Sequence, residues 1–284
     1  MVCGLGLPVL FVDGPTTRSG YTLPADRLYM DNTAGITRLV NEMLLRGKKR
    51  IGFIGINGTG KSTLLRILAG NDKSDSGGKI TFLKHIRIAF LEQEFAHDPE
   101  KDIFTQVMDS SKQFTEGLDD DGLFAYELRV KKFITSFGLQ ADSLMKNLSG
   151  GEVKRVALTV MLASEADFFI MDEPTNHLDI DAIEFLENYL GHSRSTLLMV
   201  THDRYFLDHV CNTVMELDHG AVYTYRGNYE NYLEKRQERI DNYNSETAKV
   251  NNILRRELEW IRSSPCARTG KARYRINAFY ELKD

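Results

Sequence analysis

Cysteine is scarce in this chain of 284 residues: Cys3, Cys211 and Cys266 are odd in number and far apart. They form no CxxC pair and no Cys/His cluster, which argues against a disulfide scaffold and for a reducing, cytoplasmic setting. Proline occurs only six times, and the apolar (42%) and charged (27%) shares are those of an average globular protein. Collagen-like and low-complexity classes are thereby excluded. No apolar run approaches the roughly 20 residues that a spanning helix needs, so no membrane insertion is expected. The opening MVCGLGLPVLFV is apolar but lacks the basic stretch of a signal peptide. Gly4-Leu5-Gly6 has no third glycine and no preceding strand, which removes a dinucleotide fingerprint.

Charge is present but unevenly spread. The net charge is -4. From Lys235 onward there are 12 Lys/Arg against 7 Asp/Glu, a surplus of +5, which leaves -9 on the rest. An acidic body with a basic tail suits a polyanionic partner met by the tail, or else a solvated helical tail with no partner.

Residues 1–46 show no clear period and many turn formers. Beyond them the pattern sharpens. Strand-like runs occur at Arg50–Ile54, Ile86–Leu91, Asp167–Met171 and Thr196–Val200, with helix-like stretches at Ser62–Leu68, Gly151–Ser164 and Ala182–Leu190. Strands alternating with helices predict an α/β fold around a largely parallel sheet. Residues 95–165 read as a helical lobe. Within it, Asp119-Asp120-Asp121-Gly122 reads as a loop or helix start, because the spacing of a calcium loop is missing. After Gly227, the apolar spacing of Leu233, Ile240, Tyr243, Thr247, Val250, Leu254 and Ile261 is that of a heptad seam on a long helix. Ser263-Ser264-Pro265 stops that helix. The basic stretch Arg268-Thr269-Gly270-Lys271-Ala272-Arg273-Tyr274-Arg275 follows.

Gly55-Ile56-Asn57-Gly58-Thr59-Gly60-Lys61-Ser62, followed by Thr63, fits GxxxxGK[ST] in full. Its glycines let backbone N–H groups point at phosphate oxygens, and the helix that starts there adds its positive end. Lys61 suits the β/γ-phosphates of ATP, and the Ser62 hydroxyl suits Mg²⁺. Phe168–Met171 is an apolar strand that ends in Asp172 and Glu173. Asp172 can hold the Mg²⁺ shell, and Glu173 can take the proton of an attacking water. Gln93 follows a strand as a candidate Mg²⁺ or water ligand. Leu148-Ser149-Gly150-Gly151-Glu152 opens a helix that Ser149 would cap, its N–H groups facing an anion. His202, at another strand end, could meet a γ-phosphate.

Together these residues resemble the ATP-binding cassette family. Gly55–Ser62 matches its Walker A, Gln93 its Q-loop, Leu148–Glu152 its signature, Phe168–Glu173 its Walker B and His202 its switch histidine. The resemblance implies a P-loop NTPase cassette over residues 47–227 with a helical subdomain, binding ATP and Mg²⁺. Catalysis would fall to Glu173 and His202. Nucleotide contacts would fall to Gly55 through Thr63, Gln93, Asp172 and Ser149-Gly150-Gly151-Glu152, and the metal to Ser62, Gln93 and Asp172.

Glu173-Pro174-Thr175-Asn176-His177-Leu178-Asp179, Thr201–Leu207 and Tyr225-Arg226-Gly227-Asn228-Tyr229 also look like the ABC-F branch. Those members are soluble, carry two cassettes and mostly act on the ribosome. Residues 228–284 are similar to the basic coiled-coil linker of Uup-like members. The implied partners are a second cassette, in the same chain or a homodimer, and a ribosome with tRNA, or another structured nucleic acid. Residues 1–46 match poorly and are expected to hold the cassette's opening strands. The adenine-stacking aromatic is left between Tyr29 and Tyr21. The interval from Gln93 to Ser149 is short for the branch, so its arm insertion is expected to be trimmed. The chain stops inside the linker, so an N-terminal half is expected. Two other readings stand beside this one: the ATP-binding subunit of a membrane transporter, and an ATP-gated DNA-binding protein.

Overall fold

The computed structural model describes residues 10–13, 50–55, 60–73, 79–82, 86–218 and 221–262. The chain divides into two compact units, 1–229 and 230–284.

The first unit is built on a six-stranded sheet. Its strands are β2 (Arg50–Gly55), β4 (Ile88–Leu91), β5 (Phe168–Asp172), β6 (Thr196–Val200), β7 (Thr213–Asp218) and β8 (Ala221–Arg226), in the spatial order β4-β5-β6-β2-β7-β8. All pairs are parallel except β7 with β8. Every residue of β5 and β6 is buried, as expected where helices cover both faces of a parallel sheet. The α/β fold expected of the sequence is the fold observed. Two additions to it are the edge hairpin of β7 and β8 and a small antiparallel pair, β1 (Leu10–Asp13) with β3 (Lys79–Phe82).

One face of the sheet packs on helix α1 (Lys61–Ala69). Ile51 and Phe53 of β2, Phe168 and Ile170 of β5, Leu198 and Val200 of β6 and Met215 and Leu217 of β7 meet Leu64, Leu65 and Leu68 there. Gly52 alternates to the opposite face. A Cβ at Gly52 would stand 2.9 Å from Leu207 of helix α7 (Arg204–Val210).

The helical lobe comprises α2 (Ile103–Ser110), α3 (Lys112–Thr115), α4 (Asp120–Ser136) and α5 (Gly150–Ala163). The Asp119 run is a helix start: Asp119 caps α4 by accepting from the Gly122 amide at 2.9 Å. Helix α6 (Ile180–His192) follows β5, with Asp179 as its cap. Phe133 of α4 and Phe137, which caps its C-terminal end, lie edge-on to Phe185 of α6 at 6.4 and 4.9 Å, which ties the lobe to the sheet's flank.

Helix α8 (Tyr229–Arg262) is 34 residues long, so it extends for about 50 Å. Three residues of the expected seam, Leu233, Tyr243 and Val250, are exposed on it. Among the described residues, no helix is long and apolar enough to cross a membrane.

Candidate functional site

Parallel strands place their carboxyl ends along one edge of a sheet, and side chains that leave those ends share one crevice. Here β2 leads to the glycine-rich loop, β4 to Gln93, β5 ends on Asp172 and β6 runs into Thr201 and His202. A cleft of about 470 Å³ opens at this edge, lined by Gly60, Lys61, Ser62, Thr63, Gln93, Asp172, Glu173, Asn176, Val200 and His202. Residues contributed by strands far apart in sequence are thus assembled by topology alone.

Gly60 precedes α1 with φ +87, in the left-handed region that glycine adopts freely. Gly60 makes no side-chain cap hydrogen bond, and the N-terminal end of α1, with its positive dipole, suits an anion. Lys61 is buried, and its Nζ donates to the Gly55 carbonyl at 2.8 Å. Burial lowers the pKa of this ammonium, while Glu173 and Asp172 pull it up.

Asp172 and Glu173 are both buried. Glu173 has φ +48, a strained conformation for a residue with a Cβ. Its N–H donates to the Val200 carbonyl at 2.9 Å. Its Oε2 accepts from the His202 backbone N–H at 3.3 Å, and Oε1 stands 3.6 Å from His202 Nε2. Burial raises the pKa of the Glu173 carboxyl, and His202 offsets part of that shift. A buried carboxylate with a raised pKa that lines a cleft has the properties a general base needs.

Ser62, Gln93 and Asp172 bring a hydroxyl, an amide oxygen and a carboxylate to the cleft. This hard-oxygen set fits Mg²⁺. Among the described residues, no three His, Cys, Asp or Glu side chains gather to hold a metal. The donor set therefore suits a cation that completes its shell with phosphate and water.

Ser149, Gly150, Gly151 and Glu152 do not line the cleft. Ser149 caps α5 in a reciprocal box: its Oγ accepts from the Glu152 N–H at 3.3 Å, and Glu152 Oε2 accepts from the Ser149 N–H and hydroxyl at 2.8 and 2.7 Å. These bonds lower the pKa of the Glu152 carboxyl. Gly151 lies against the His177 carbonyl. Arg155 donates from Nη1 to the Phe137 carbonyl at 3.1 Å and pairs with Asp179 at 3.4 Å.

Ile56, Asn57, Gly58 and Thr59 lie outside the described residues, as do Tyr21, Tyr29 and the basic run 268–275. Two residues of the site were not singled out for it by the sequence. Asn176 lines the cleft, and its signal was its place three residues past Glu173 on the same turn. Lys154 is buried beneath the site, and burial lowers its pKa to about 8 against the pull of Asp172 and Glu173.

Two family models, both described as ABC transporter, match residues 41–176 and 215–284. Among curated proteins, the chain is 36% identical to the ABC transporter ATP-binding protein YfmR of Bacillus subtilis (strain 168), over 92% of this chain and 46% of that one. It is 36% identical to the energy-dependent translational throttle protein EttA of Escherichia coli (strain K12), over 82% of this chain and 48% of that one. The EttA protein of Mycobacterium tuberculosis (strain CDC 1551 / Oshkosh) is 34% identical, with 82% and 47% covered. The chain thus spans about half the length of the curated relatives it matches. Two solved structures share its fold. An ATP-binding subunit of an ABC transporter has a TM-score of 0.55 and 22% identity, covering 62% of this chain and 78% of that one. A dimeric ATP-binding cassette with ADP and Pi has a TM-score of 0.54 and 21% identity, covering 64% and 86%.

Proposed function

The chain belongs to the ATP-binding cassette family, and on that footing we propose that it is one ATP-hydrolysing cassette of an ABC-F type protein that works on the ribosome. The observation that carries the ATPase reading is the convergence of Lys61, Ser62, Gln93, Asp172, Glu173 and His202 on one cleft at the carboxyl edge of the sheet. In this reading residues 55–63 cradle the phosphates of ATP, with Lys61 on the β/γ oxygens. Ser62, Gln93 and Asp172 hold Mg²⁺, which when bound neutralises charge developing on the transferred phosphoryl group. Glu173 takes the proton of the attacking water, and His202 orients Glu173 and faces the γ-phosphate.

The signature is read as serving another cassette. Two observations support this: Ser149 through Glu152 do not line this chain's cleft, and the fold is shared with a cassette solved as a dimer. Cassettes paired head to tail would place each signature on the other's nucleotide. Turnover per chain is then expected to rise steeply with protein concentration as homodimers form. A constant, substantial rate in dilute monomer would show the site to be complete within one chain.

The translational role is supported by the relatives named translational throttle proteins and by the basic run 268–275. Salt-sensitive co-sedimentation with ribosomes in the presence of ATP is the expected result. The description of both family models as ABC transporter favours the second reading, a transporter's ATP-binding subunit. Co-purification with membrane transport subunits instead of ribosomes would establish that one.

A further inference from the structure

Helix α5 begins at the signature, and one turn past its cap it sends Lys154 into the interior. Lys154 is only 5% exposed. Its Nζ donates to two main-chain carbonyls, Glu92 at 3.2 Å and Asp172 at 3.4 Å. Each carbonyl belongs to the peptide unit that immediately precedes a cleft residue. The Glu92 carbonyl shares its plane with the Gln93 N–H, and the Asp172 carbonyl shares its plane with the Glu173 N–H.

The second of these units is held from both sides. Its N–H is fixed on β6 by the Val200 carbonyl at 2.9 Å, and its C=O is fixed on α5 by Lys154. Glu173 sits at φ +48, and a strained residue stays in place only where its surroundings over-determine it. An ammonium carries three donors, so one amine can hold two carbonyls together. A methyl or thioether in its place would take this donor from both carbonyls, of which the Asp172 carbonyl is buried and the Glu92 carbonyl half-buried.

We propose that Lys154 is a positioning residue, tying the signature helix to the peptide units that aim Gln93 and Glu173 into the cleft. A displacement of α5 when its signature engages another cassette then reaches the candidate base through one hydrogen bond and Gln93 through the other. The inference rests on the ATPase reading for its catalytic consequence, but the tie itself does not depend on hydrolysis.

The test uses Lys154→Met, close in length with no donor, and Lys154→Arg, which restores donors. Amide hydrogen exchange of the nucleotide-free chain is followed in segments 90–95 and 170–176, with 213–226 as the reference. Lys154→Met should speed exchange in the first two segments about tenfold, the scale of one lost buried hydrogen bond, and leave the reference unchanged. Turnover should fall with KM for ATP held within about twofold, since an aimed base acts on the chemical step. Lys154→Arg should recover part of both. Unaltered exchange in the two segments would overturn the proposal. So would uniformly faster exchange across the sheet with a lowered melting temperature, the mark of a merely structural residue. Local exchange that responds to Lys154→Met in a chain that hydrolyses no ATP even at concentrations where it dimerises would support the tie and overturn the ATPase reading.

Discussion

His202 meets both oxygens of Glu173, its backbone N–H donating to Oε2 at 3.3 Å and its ring Nε2 standing 3.6 Å from Oε1. The carboxylate is therefore oriented by a residue two positions past the end of β6, while it is itself anchored at the end of β5.

Glu173→Gln keeps the shape and the acceptor for the His202 N–H but cannot take a proton. ATP binding should persist, and hydrolysis should fall by about 10²–10⁴-fold, the usual worth of a general base. Nucleotide titration beside a phosphate-release assay checks both halves. Unchanged turnover would remove Glu173 from the role.

The same carboxyl has a raised pKa because burial disfavours its charge. A raised acid contributes stability below its unfolded pKa, and that contribution is lost as pH rises through the folded one. Glu173→Gln carries no such charge at any pH. Relative to the parent, the variant should therefore gain in melting temperature as pH rises from the acid range to neutrality. A difference that does not vary with pH would contradict the assignment of burial as the cause.

Lys61→Ala removes a buried ammonium from the loop and should weaken ATP binding. One charge-assisted hydrogen bond to phosphate corresponds to about 10- to 100-fold in affinity. Equal affinity of variant and parent in a fluorescence titration would mean that the loop is no phosphate cradle.

The two signature glycines should respond differently to alanine. A Cβ at Gly151 would collide with the His177 carbonyl, whereas nothing lies within 4 Å of a Cβ at Gly150. His177 is itself in the left-handed region at φ +64, so its backbone has little room to yield. Gly151→Ala should cost about 1–3 kcal/mol, and Gly150→Ala should melt close to the parent. Equal melting temperatures for the two variants would refute the packing argument.

Changing Arg268, Lys271, Arg273 and Arg275 to alanine should lower affinity for structured RNA and flatten its salt dependence. Four lost phosphate contacts correspond to a log–log slope smaller by about 3. ATP affinity should be untouched. Filter binding across a salt series checks this, and an unchanged slope would make the run a solvated surface.

Much of the site was legible because its residues sit at strand ends at fixed spacing. Gly55–Ser62 and Asp172-Glu173 announce themselves where an apolar run stops. Lys154 gives no such signal. Whether a helical lysine turns inward depends on how α5 rolls against the sheet, and its acceptors lie 62 and 18 residues away in sequence. The signature's reciprocal cap needed only Ser149 followed by Glu152 three residues on, a pattern visible in the sequence. The edge hairpin was carried by Asp218-His219-Gly220 between two strand-like runs, a turn signal overshadowed by the parallel pattern before it. The pairing of β1 with β3 joins residues about 70 positions apart in the sequence, and nothing local in either strand specifies it.

The φ of +48 at Glu173 bears on how this position would drift. Backbone energetics alone would select glycine or asparagine there, since both enter the left-handed region more readily than glutamate. Under the role proposed for Glu173, a copy released from the need to hydrolyse ATP would gain stability by losing the carboxylate. Selection for chemistry and selection for folding therefore oppose each other at a single codon.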